Sequence, residues 1–139
     1  MGRAAITEAL AALIATAVPG AAISGFTGGP AKPERVSSVG AIWLVATDTP
    51  EPEVDLCPLT YNFEPEFDLA IAAPTSARVL EMLAALGAAI QADRSLGGAC
   101  EWLDADPGGF DEETMTGTDG HIEARVTVTA AYATTNPLE

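Results

Sequence analysis

The stretch TSARVLEMLAALGAAIQADRSLGG, residues 75–98, decides the fold of this chain. Its apolar residues recur at three- and four-residue steps, which predicts a helix with one continuous apolar face. This face consists of Val79, Leu80, Met82, Leu83, Leu86 and Ile90. Thr75 or Ser76 can cap the helix, because a short hydroxyl side chain accepts a hydrogen bond from an unpaired first-turn amide. At the other end, Gly97 and Gly98 permit the positive φ that a sharp exit toward a strand requires.

Two segments before this helix carry strand patterns. Residues 41–46 are a short continuous apolar run, which predicts a central strand covered on both faces. Residues 59–71 alternate apolar and polar side chains and keep one phase across Pro65. No turn signal accompanies this proline, so we expect one bent strand or two collinear pieces rather than a tight hairpin. We expect the proline-rich segment 48–58 to be an extended loop.

Two further strands are predicted after the helix. Residues 99–103 form the first, with Cys100 and Trp102 on one face. The clearest pattern is at residues 122–132, where alternation predicts a last strand with one face in the core. Residues 104–120 lie between them and predict a glycine-rich, acidic loop.

The chain begins with another helical pattern. Residues 3–18 place five apolar residues on one face, namely Ile6, Leu10, Leu13, Ile14 and Ala17. Pro19 ends this helix, and residues 21–38 predict a long loop with room for a short edge strand at residues 22–26. The order of elements predicts a single α+β domain over residues 1–139. We expect a two-layer sandwich in which a mostly antiparallel sheet of four to five strands packs on two helices, with Trp43 and Trp102 in the core.

The charge of the chain restricts its partners. Its 20 acidic and 6 basic residues give a formal net charge of −14. This excess argues against a site that holds nucleic acid through its phosphates, but it is compatible with DNA passing without specific binding. No apolar run approaches the roughly 20 residues that span a bilayer, so we expect a soluble protein without a membrane partner.

Residues that could support catalysis or metal binding are few and separated in the sequence. Cys57 and Cys100 are expected to be buried free thiols. His121 is the only histidine, and an exposed position at a strand end is a better explanation for it than a catalytic base. The chain has no CxxC pair for zinc, and the segment after residue 103 lacks the ligand spacing of an EF-hand. We therefore expect no catalytic residue, no metal, no cofactor and no enzymatic activity.

Carboxylates are the abundant candidate functional groups. One set alternates along the predicted strand before the organising helix, and it consists of Glu64, Glu66 and Asp68. The other set lies in the acidic loop, and it consists of Asp104, Asp106, Asp111, Glu112, Glu113 and Asp119. No sequence feature marks any pair of these carboxylates as buried, and solvated charge is the usual explanation for such sets.

A larger pattern extends from DRSLGG at residues 93–98 through a strand, an acidic loop and a long final strand to YATTNPL at residues 132–138. It resembles the small tail proteins of siphophages, prophages and gene transfer agents, the tail terminator or minor tail proteins. The resemblance covers the order of elements over most of the chain. The chain departs from common members in its proline-rich segment 48–58 and in its ending, Pro137-Leu138-Glu139.

The resemblance implies a virion structural protein assembled in the bacterial cytoplasm. It would form a homohexameric ring at the head-proximal end of the tail, end polymerisation of the major tail tube protein and join the tail to the neck. Our hypothesis is that one or both carboxylate sets line the lumen, where their charge lets DNA pass. A neck or head-completion ring protein is the first alternative, and a small-molecule enzyme or binding domain is the second.

Overall fold

Two helices pack on one face of a sheet in the computed structural model, which describes residues 2–26, 36–106, 116–118 and 121–139. The helices are α1 (Arg3–Ala17) and α2 (Ser76–Ala92), and a single 3-10 turn, Leu96–Gly98, follows α2. The strands within the described residues are β1 (Ala22–Ser24), β2 (Ala41–Asp48), β3 (Glu53–Leu56), β4 (Leu59–Phe63), β5 (Glu66–Ala73), β6 (Trp102–Ala105), β7 (Thr116–Thr118) and β8 (His121–Thr134). All pairs are antiparallel except β1 with β2. The α+β class, the mostly antiparallel sheet and the two-layer arrangement are confirmed, although the sheet has more strands than the four to five expected.

The helix α2 forms where the apolar spacing predicts it. The side chain of Thr75 accepts a hydrogen bond from the backbone N–H of Arg78 at 3.2 Å, so Thr75 is the N-cap. The buried face consists of Val79, Met82, Leu86 and Ile90. Leu80 is 46% exposed and lies off this face, contrary to the prediction. Gly97 and Gly98 adopt φ angles of 67° and 96°, as the exit from the helix requires.

The strands β4 and β5 lie end to end along β8. Tyr61 in β4 pairs with Thr134, and Phe67 in β5 pairs with Val128, in one continuous register. Between them, the carbonyl of Pro65 accepts a hydrogen bond from the backbone N–H of Ala130 at 3.1 Å. The prediction of two collinear pieces is therefore confirmed.

On the edges that face away from β8, β5 pairs with β2 and β4 pairs with β3. Residues 41–73 therefore form one long, interrupted hairpin. Its turn is at Cys57-Pro58, where the peptide bond is cis. The extended loop predicted for residues 48–58 is wrong in its second half, because Glu53–Leu56 pairs with β4. The prolines of this segment precede β3 or follow it, so they remove no N–H from its ladder.

The predicted boundaries after α2 also change. Cys100 lies before β6, which begins at Trp102 and includes Asp104. The short strand β7 pairs with β8 inside the segment predicted to be an acidic loop. Trp102 is 39% exposed and is not a core residue, whereas Trp43 is buried as predicted.

The main core lies between the helices and the sheet. It takes Ile6, Leu10 and Ile14 from α1, which confirms the predicted face of that helix. The strands contribute alternate residues, including Phe67, Leu69, Ile71, Val126, Val128 and Tyr132. On the opposite face of the sheet, Ala41, Trp43, Ala70 and Ala72 form a second small cluster, so β2 begins covered on both faces. No helix in the described part of the chain has both the length and the apolar character needed to cross a membrane.

Candidate functional site

The sheet face that points away from the helices carries the polar residues of the central strands. Glu66 and Asp68 on β5 alternate with the core residues of that strand, so their side chains lie on this outer face. On β8 they pair with Thr129 and Thr127. Asp48 on β2 pairs with Glu66 from the other side and adds an acid that the sequence analysis did not single out.

Two members of the second predicted carboxylate set, Asp104 and Asp106, reach the same face from the opposite edge of β8. Thr129 pairs with Glu66 on one side and with Asp104 of β6 on the other. Just beyond β6, the backbone N–H of Asp106 donates a 2.8 Å hydrogen bond to the carbonyl of Thr127. Adjacent strands are about 4.8 Å apart, so roughly 10 Å separates the backbones of Glu66 and Asp104.

We call the surface formed by Asp48, Glu66, Asp68, Asp104 and Asp106 the acidic face. It draws its residues from three separate parts of the sequence. Only the strand pairing brings these parts together, and this is why sequence reasoning identified the two main sets but not their common surface.

Two hydrogen-bonding arrangements orient side chains of the acidic face. The hydroxyl of Thr127 donates to Oδ1 of Asp68 at 2.8 Å. Arg94 lies 3.5 Å from Oδ1 of Asp104 and also contacts the carbonyl of Leu103 at 3.5 Å. Both members of the Arg94–Asp104 pair are more than half exposed, so solvent screening leaves this pair a small contribution to stability.

The pairing of the described strands does not by itself place the remaining predicted carboxylates on the acidic face. Glu64 is exposed between β4 and β5. The other four, Asp111, Glu112, Glu113 and Asp119, lie outside the described residues.

Groups that could form a compact reactive centre are separated. No group of three or more His, Cys, Asp or Glu residues could hold a metal ion within the ranges that the structure describes. The side chain of His121 lies outside the described part. Cys57 is exposed at the hairpin turn, so its predicted burial is wrong, whereas Cys100 is buried and free as predicted. Burial raises the pKa of the Cys100 thiol, and the nearby charges of Asp93 and Glu101 raise it further.

A groove between α2 and β6 is a second notable surface. It encloses about 430 Å³, a size within the range of small-molecule pockets. Leu83, Leu86 and Ile90 contribute apolar side chains to it, and Asp104 and Asp106 lie at its β6 side. We call this surface the α2 groove. The sequence analysis did not predict the α2 groove, because the groove depends on the distance between β6 and α2.

The carboxylates of the acidic face present negative charge over a broad surface, but they do not converge on one point where a reacting atom could be held. No protein-family model matches this chain. The search of curated proteins also finds no match.

Proposed function

We propose that this chain is a structural virion protein of the tail terminator type. It forms a ring at the head-proximal end of a phage-like tail tube, ends polymerisation of the tube protein and joins the tail to the neck. The proposed homo-oligomer is a hexamer, and DNA passes through its lumen without specific binding.

The observation that carries this proposal is the acidic face. A channel for DNA needs a wall that repels phosphates over an extended area and does not hold them at one point. The acidic face has this character because Glu66 and Asp68 on β5 and Asp104 on β6 lie on the two strands that flank β8 in one sheet. The helices cover the other side of that sheet, so one side of each subunit is available to the lumen and the packed helical layer can face outward.

The α2 groove favours a second candidate function, the binding of a small apolar molecule. The two functions differ in what they predict for the isolated chain. A ligand-binding domain is stabilised against heat by its ligand through mass action. A terminator instead acts by binding the tube protein. A thermal-shift screen with small apolar compounds therefore tests the second candidate directly.

The decisive experiment for the proposed function combines the purified chain with the major tail protein from the same gene neighbourhood. Negative-stain imaging then measures tube length, with the tail protein alone as the control. We expect shorter tubes that carry a ring at one end. Tubes of unchanged length without a cap would contradict the proposal, and binding to the portal or its adaptor instead would identify a neck ring.

A further inference from the structure

We draw no further inference here: the strongest candidate, the apolar groove between α2 and β6, carries none, because nothing in the described part of the structure shows what covers it.

Discussion

At the scale of single residues, substitution by alanine at two glycines of this chain should change the free energy of unfolding in opposite directions. Gly40 has a φ of 106°, and a Cβ there would lie 2.6 Å from Sδ of Met82 and 2.9 Å from the carbonyl oxygen of Ala72. We expect Gly40→Ala to lower the free energy of unfolding by about 2–4 kcal/mol through backbone strain and overpacking. Gly87 lies within α2 with no atom close to its missing Cβ, so Gly87→Ala should raise this free energy by about 0.5–1 kcal/mol. Urea denaturation of both variants measures the two changes, and similar values for both would contradict the structure.

The two thiols should differ in reactivity for a physical reason that also depends on single residues. Cys57 is exposed, whereas burial keeps Cys100 inaccessible and raises its pKa, so that it stays protonated at neutral pH. We expect a maleimide to modify one thiol per folded chain at pH 7 and two in denaturant, as counted by mass spectrometry. The Cys57→Ser chain should show no modification until it unfolds. Rapid labelling of that folded variant would show that Cys100 is accessible.

At the scale of elements, regular periodicity predicted the structure well. The helices α1 and α2, the last strand and the collinear pieces on either side of Pro65 all follow from apolar residues that recur with one period. These segments are long enough for side-chain patterning to outweigh local exceptions. The position of Leu80 is such an exception, because it lies at the border of the predicted stripe and its exposure depends on the distance to β6.

The errors at this scale fall where tertiary pairing decides the structure. The strand β3 has four residues between prolines, a pattern that predicts a loop, and it becomes a strand because β4 supplies its hydrogen bonds. The strand β6 begins late because the 3-10 turn after α2 places Cys100 ahead of it. For the same reason, the sequence alone predicted only part of the acidic face. Alternation gave the outward direction of Glu66 and Asp68, but the approach of Asp104 depends on the pairing of β6 with β8.

At the scale of the whole molecule, the acidic face concentrates part of a net charge of −14 on one surface. Neutralising four of its five acids with Glu66→Gln, Asp68→Asn, Asp104→Asn and Asp106→Asn removes four negative charges with little change in side-chain shape. An asparagine at position 68 also keeps an acceptor oxygen for Thr127. In the isolated chain at low salt, we expect the free energy of unfolding of this variant to be higher by about 1 kcal/mol. The reason is that neighbouring like charges on a sheet repel each other.

The same variant tests whether the surface acts on DNA. The matched control neutralises four exposed acids away from the acidic face, with Glu8→Gln, Glu51→Gln, Glu81→Gln and Glu101→Gln, so both variants have the same net charge. If the acidic face lines the lumen, particles assembled with the first variant should deliver DNA less efficiently than particles with the control. The difference should shrink as salt rises, because ions screen the repulsion over about 10 Å at 0.1 M. Equal delivery by both particles would remove the lumen hypothesis, while the lengths of their tubes would show separately whether termination is intact.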